Sequence, residues 1–277
     1  MTDKYAVIGN PIGHTKSPLI HATFARQTGQ DIDYLAIEGE IGHFAENVET
    51  FRRDGGRGMN VTAPFKLEAF DYATDLSEQA RLAGAANALK FEGGRIFAQN
   101  FDGVGLTRDI VSNLAFTMRG RRVLLLGAGG AARGAMLPFL NERPAKLVLV
   151  NRTVSKAQAL FEQFKPYAEG DFSWCSYSEL AEAAEPFDLV VNATSASLRG
   201  ELPPVPVGVF ASGGVAYELA YGKGLTPFLK RAQDAGAAQL ADGVGMLVEQ
   251  AAESFEWWRG VRPETATMIR TLTVPLR

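Results

Sequence analysis

Short, wholly apolar runs alternate with amphipathic stretches along almost the entire chain, and that alternation restricts the fold more than any other feature. YAVIG (Tyr5 to Gly9), DYLAI (Asp33 to Ile37), RGMNVT, RRVLLLG, KLVLVNR, DLVVNAT and VAYELAY read as strands. A strand without polar alternation is covered on both faces, and helices between such strands supply the crossovers of a parallel sheet. The intervening stretches have helical period: SPLIHATFARQTG, IGHFAENVETFRRDG, a segment from Gly103 to about Leu114, AARGAMLPFL and VSKAQALFEQF. In the first of these Ser17 suits the N-cap, Pro18 the first helical position and Gly29 the stop. NALKF and RIFAQN make a hairpin-like pair around Gly93-Gly94, and DGVGMLVEQAAESFEWW is a long amphipathic helix. The expected fold class is therefore α/β, with two α/β units in series joined near Asn100 to Gly105.

Composition excludes several function classes. The 277 residues suit one large domain or two ordinary ones. The formal net charge is −3 with no basic stripe, so nucleic acid is not an expected partner. Cys175 is the only cysteine, which rules out an intrachain disulfide and argues against a thiolate metal site. Three histidines, His14, His21 and His43, do not match a metal-binding spacing, and no metal is expected. MTDKYAVIGN lacks the basic and apolar regions of a signal peptide. No apolar run reaches the roughly 18 residues of a membrane span. A reducing, cytoplasmic setting without a membrane partner is the simplest reading.

LLLGAGGAARG is the clearest local motif. Gly127, Gly129 and Ala132 fit G-x-G-x-x-A between a strand and a helix. Glycines there allow a tight turn and a close approach of backbone to a pyrophosphate, whose charge meets the N–H groups of the helix start. The turn Gly127, Ala128, Gly129, Gly130, Ala131 is thus the expected cofactor cradle. After the next strand an NAD-binding chain usually carries an acid for the ribose 2′-hydroxyl. Here Asn151, Arg152 and Thr153 follow it, with Lys156 one helical turn on. A guanidinium pairs with a 2′-phosphate, so NADP is the expected cofactor.

Reduction of a carbonyl by hydride leaves an oxygen that needs a proton. His21 and His43 lie in helical patterns and read as surface or packed residues, and His14 as a loop-ordering one. Lys66, at the end of NVTAPFK, follows the C-terminal end of a strand, where ligands of open α/β sheets bind. Asp102, in QNFDGVG, is a candidate carboxylate to hold the ammonium charged and oriented.

Taken in order, GNPIGHTKSP, NVTAPFK, LAGAANAL, NFDGVG, LLLGAGGAARG, NRT, NATS, YELAYGKGLTPFL and ADGVGMLVEQ resemble the shikimate dehydrogenases of bacterial aromatic biosynthesis over nearly the whole chain. The resemblance implies reversible, NADPH-dependent reduction of 3-dehydroshikimate to shikimate. It implies that residues 1–101, completed by about 240–277, bind the substrate and that 102–239 form the NADP-binding Rossmann domain, with the active site in the cleft. Positions matching Asn60, Thr62, Asn87, Asp102 and Gln250 contact ring hydroxyls in that family, and those matching Thr15, Ser17 and Tyr221 hold the carboxylate. Lys66 and Asp102 match the catalytic pair, and Thr194 and Gly243 fall in cofactor-binding motifs. Three positions depart from the family pattern: Thr15 stands for Ser, Phe101 for the Thr or Ser of N-T-D-G, and Glu218 for Asp. Phe101 and Thr15 put substrate preference in question, and Glu218 a local hydrogen bond. Two alternatives follow, a paralogue preferring quinate and a non-catalytic NADPH-binding protein. The expected partner is a small-molecule substrate. A homodimer is allowed by the sequence, which carries no signal for oligomeric state.

Overall fold

The computed structural model describes residues 2–183 and 185–276. They form two units: the chain up to Gly105 with Val248–Arg270, and Leu106–Leu247 with the segment from Thr271.

The first unit is a six-stranded sheet with helices against it. Its chain runs β1 (Asp3–Gly9), α1 (Ser17–Thr28), β2 (Ile32–Glu38), α2 (Phe44–Arg53), β3 (Gly56–Val61), α3 (Lys66–Tyr72), β4 (Asp75–Leu76), α4 (Glu78–Ala83), β5 (Ala88–Glu92) and β6 (Arg95–Gln99). The strand order is β2-β1-β3-β5-β6-β4. The sheet is mixed: β5 runs antiparallel to β3 and β6, and the other pairs are parallel. A hairpin joins β5 to β6, and Gly93 and Gly94 take φ of 58° and 77° in its turn, the left-handed region that such turns require. β1 is buried on both faces. Ala6 and Ile8 pack with Phe44, Met59, Phe65 and Leu89, while Tyr5 and Val7 pack with Tyr34 and Trp258. Burying a side chain such as Phe65 contributes roughly 1.5–3 kcal/mol.

The second unit is wholly parallel, as its apolar strands predict. It contains α5 (Asp102–Arg108, which begins in the first unit), β7 (Arg122–Leu126), α6 (Gly130–Asn141), β8 (Lys146–Val150), α7 (Val154–Phe164), β9 (Asp171–Cys175), α8 (Tyr177–Ala183), β10 (Phe187–Asn192), β11 (Phe210–Glu218), α9 (Pro227–Asp234) and β12 (Gln239–Asp242). The strand order β12-β11-β10-β7-β8-β9 is that of a doubly wound dinucleotide-binding fold, with its switch point between β7 and β10. α10 (Val244–Arg259) then returns to the first unit, followed by α11 (Ala266–Leu272). There Trp258 covers Gly58, where a Cβ would lie 2.6 Å from the indole Nε1. That Nε1–H donates to the Leu89 carbonyl at 3.0 Å.

Several local expectations are corrected. Ser17 is the first helical residue, not the cap; its N–H donates to Thr15 Oγ1 at 3.3 Å. The helix after Gly103 does not stay α-helical to Leu114. It opens into a π turn over Asp109–Asn113, closed by Leu114 N–H on the Asp109 carbonyl at 2.9 Å. Within that turn the carboxylate of buried Asp109 accepts from Asn113 Nδ2 at 2.9 Å and from the Tyr217 hydroxyl at 2.7 Å. The long helix starts at Val244, after Asp242 has joined β12. No helix among the described residues is long and apolar enough to cross a membrane.

Candidate active site

In the first unit β3 delivers its C-terminal end to a turn that Lys66 leaves as the first residue of α3. Phe65 anchors that turn with its ring fully buried and its N–H on the Thr62 carbonyl at 3.0 Å. Gly9 faces the same turn, where a Cβ would fall 2.5 Å from Thr62 Cγ2, so only glycine lets the ends of β1 and β3 approach this closely. Lys66 Nζ donates to Asp102 Oδ2 at 2.6 Å, with side-chain exposures of 33% and 17%. Its other N–H groups have no partner among the described residues, so they stay available to a ligand oxygen.

Asp102 is held from three sides. Asn87 Nδ2 donates to Oδ1 at 2.8 Å. The same amide group reaches Gln250 Oε1 at 3.3 Å, and Asn87 Oδ1 accepts the Phe101 N–H at 2.8 Å. The Asp102 N–H donates to Asn100 Oδ1 at 3.1 Å, while Asn100 Nδ2 donates to the Ala85 carbonyl at 3.0 Å. Lys66, Asn87, Asp102 and Gln250 are thus one connected polar cluster. Thr15 Oγ1 donates to Ser17 Oγ at 3.2 Å, so these two hydroxyls also meet.

Asn60 sits differently from its neighbours. It is buried, its Oδ1 accepts from the Tyr34 hydroxyl at 2.7 Å, and its Nδ2 donates to Ser254 Oγ at 2.8 Å and to the Asn87 carbonyl at 3.3 Å. Both amide N–H groups are therefore spent inside the protein, and only a carbonyl lone pair is left for a ligand. Tyr34, Asn100 and Ser254 were not singled out in the sequence. Beneath them His21 is fully buried and stacked on Tyr34 with centroids 4.1 Å apart. Among the described residues neither ring nitrogen has a hydrogen-bond partner of good geometry, and burial, outweighing a smaller opposing effect of Asn60, pushes its pKa down to about 3, so it is a neutral core residue. Phe101 turns inward as well, packing edge-on against Trp257 at 5.8 Å.

The second unit carries a groove of about 810 Å³ over the β7–β10 switch point. Gly127, Ala128, Gly129, Gly130 and Ala131 form its floor, and Asn151, Arg152, Thr153 and Lys156 one wall. Gly127 has φ of 115°, and a Cβ there would lie 3.0 Å from the Ala193 carbonyl. At Gly129 and Gly130 an added Cβ would enter open groove space. That is the space a pyrophosphate needs above the first N–H groups of α6. The residues therefore fit a dinucleotide.

Thr194 and Tyr221 also line the groove, whereas Gly243 does not. Gly243 is a close-packing residue, since a Cβ there would meet the Leu219 carbonyl at 2.1 Å. The sequence did not single out Tyr177, Leu198, Arg199 or Glu201, which complete the lining. Burial raises the Tyr177 pKa to about 12, against the opposing charge of Arg152.

Below the groove, Glu218 keeps a full set of partners despite its extra methylene. Its carboxylate accepts from Asn192 Nδ2 at 2.9 Å, the Ala220 N–H at 3.2 Å, Thr226 Oγ1 at 3.3 Å and the Ser197 hydroxyl. Burial still raises its pKa.

The strand order, the glycine turn and the polar cluster define a two-unit α/β protein of the dinucleotide-binding, Rossmann class. Family models narrow this. Residues 7–89 match the shikimate dehydrogenase substrate binding domain, 109–199 the shikimate / quinate 5-dehydrogenase model and 243–273 the shikimate 5′-dehydrogenase C-terminal domain. The chain is 55% identical to the NADP(+) shikimate dehydrogenase of Nitrosospira multiformis over 98% of both chains. An Ael1 enzyme from Pseudomonas putida is 58% identical over 100% of both chains, with a TM-score of 0.95. Shikimate 5-dehydrogenase from Thermus thermophilus, solved with NADP(H) and shikimate, is 28% identical over 98% of both chains, with a TM-score of 0.85. The chain belongs to the shikimate dehydrogenase family.

Proposed function

We propose that this protein catalyses the reversible reduction of 3-dehydroshikimate to shikimate with NADPH, a cytoplasmic step of aromatic biosynthesis. The observation that carries the reading is the 2.6 Å contact of Lys66 Nζ with Asp102 Oδ2, inside a cluster of polar side chains that includes Asn87 and Gln250. The family membership and the fit of the glycine turn to a dinucleotide support it.

When bound, NADPH supplies the hydride. Lys66 gives a proton from Nζ to the carbonyl oxygen as that oxygen gains charge, and recovers one from solvent. In the reverse direction Lys66 takes the hydroxyl proton. Asp102 keeps the ammonium charged and aimed, and Asn87 fixes the carboxylate that does so. The hydroxyls of Thr15 and Ser17 receive the substrate carboxylate, a role the family pattern shares with Tyr221. Thr62 and Gln250 complete the contacts to ring hydroxyls. A site that hydrogen-bonds a triol rejects analogues that leave its polar groups unpaired. Arg152, Thr153 and Lys156 favour the phosphorylated cofactor.

The test is a four-way assay of shikimate and quinate against NADP+ and NAD+. Shikimate with NADP+ should be fastest. Faster quinate oxidation with NAD+ would overturn both the substrate and the cofactor assignment.

A further inference from the structure

A second arginine faces the cofactor groove from the loop after β10. Arg199 Nε and Nη2 donate to the two oxygens of Glu201 at 2.9 and 2.7 Å, and Nη1 donates to Ser195 Oγ at 2.9 Å. This fixes the guanidinium plane while leaving two of its five N–H groups without a protein partner among the described residues. The turn Ser197–Arg199 that carries it ends on Gly200 at φ 70°, a left-handed conformation natural to glycine. Arg199 and Glu201 line the same groove as Arg152 and Lys156. Arg199 holds the Glu201 carboxyl below its usual range, and the charge of Arg152 adds to that effect, so the two arginines act on one small region.

Electrostatics favours an anionic occupant there. Arg152, Lys156 and Arg199 carry three positive charges against the single negative charge of Glu201. The Arg199–Glu201 pair is half exposed and holds little net energy. A phosphomonoester can therefore accept from the remaining Nη1 and Nη2 N–H groups of Arg199 at small cost.

We propose that Arg199, preset by Glu201, is a second guanidinium for the 2′-phosphate of the dinucleotide, working with Arg152. The inference rests on the NADP reading above and extends it to a residue outside the strand-end motif. The test is direct binding to the intact protein by calorimetry, using NADP+, NAD+, adenosine 2′,5′-bisphosphate and 5′-AMP. Arg199→Ala should weaken NADP+ and the bisphosphate about tenfold, the scale of one charge-assisted hydrogen bond, and leave NAD+ and 5′-AMP unchanged. Arg199→Gln, which keeps a donor to Glu201 without the charge, should show the same selective loss and an unaltered melting temperature. Equal weakening of all four ligands, or no weakening, overturns the role of Arg199. The wild type and Arg152→Ala separate that failure from a deeper one. If the wild type binds NADP+ no more tightly than NAD+, the cofactor reading itself is wrong.

Discussion

Asn87 gives an amide N–H to Oδ1 of Asp102, the oxygen that the ammonium of Lys66 leaves open. One carboxylate is thus shared between a proton donor and a neutral amide, and its orientation depends on both. Because Asn87 Oδ1 also accepts the Phe101 N–H, one residue contacts both the backbone leading into Asp102 and the side chain of Asp102.

Removing that amide should disturb the chemistry more than substrate binding. Asn87→Ala is expected to lower kcat by roughly tenfold or more, the equivalent of one lost charge-assisted hydrogen bond. Steady-state kinetics checks this. A rise in KM with kcat intact would instead make Asn87 a binding residue alone.

Phe101 is expected to matter to stability, not to specificity. Its ring is buried and packs edge-on against Trp257. Phe101→Thr should cost on the order of 3 kcal/mol in urea unfolding, the scale of large-to-small core changes, and leave the shikimate-to-quinate ratio unchanged. A changed ratio at unchanged stability would contradict this packing account.

His21 makes a pH-dependent prediction whose sign is fixed. Burial depresses its pKa from 6.5 to about 3, so between those values the unfolded chain binds a proton that the folded one does not. Stability from this group is complete above pH 6.5 and is lost as pH falls toward 3, at up to roughly 1.4 kcal/mol per pH unit. His21→Phe should flatten the difference in unfolding free energy between about pH 7 and about pH 5 relative to the wild type. Parallel pH profiles for the two proteins would show that His21 is charged in the fold.

Glu218 is a buried carboxyl with a testable load. Glu218→Ala removes the acceptor of the Ser197 and Thr226 hydroxyls and leaves Asn192 Nδ2 with only a 3.4 Å contact to Ser197 Oγ. A loss on the order of 3 kcal/mol is expected, since each orphaned buried group costs roughly 1–3 kcal/mol. Thermal unfolding measures it, and an unchanged melting temperature would mean that water replaces the carboxylate without penalty.

These residues also show what the sequence could and could not reveal. The parallel half was legible because RRVLLLG, KLVLVNR and DLVVNAT carry their own burial signal, and Gly127–Ala131 with Asn151–Thr153 mark the strand ends that line the groove. Edge strand β9 was missed because DFSWC is only half-buried and has no continuous apolar run. Lys66 and Asp102 were legible as candidates from residue type and position, but their contact spans 36 positions, and the resemblance gave the pairing its strongest support. The resemblance implied a ring-hydroxyl contact for Asn60, while nothing local reveals that its amide donates to Ser254, 194 positions away. Nothing local to the π turn reveals that its Asp109 accepts from Tyr217, 108 positions on. Arg199 and Glu201 carry no local sequence signal and gain meaning only because their loop lines the groove.

The most direct measurement is turnover of Lys66→Ala alongside its NADP+ affinity. Proton donation by this ammonium predicts a fall in kcat of at least about two orders of magnitude, the usual scale of an acid–base contribution, with cofactor binding intact. Near-wild-type turnover in that variant would contradict the assignment of Lys66 as the proton donor.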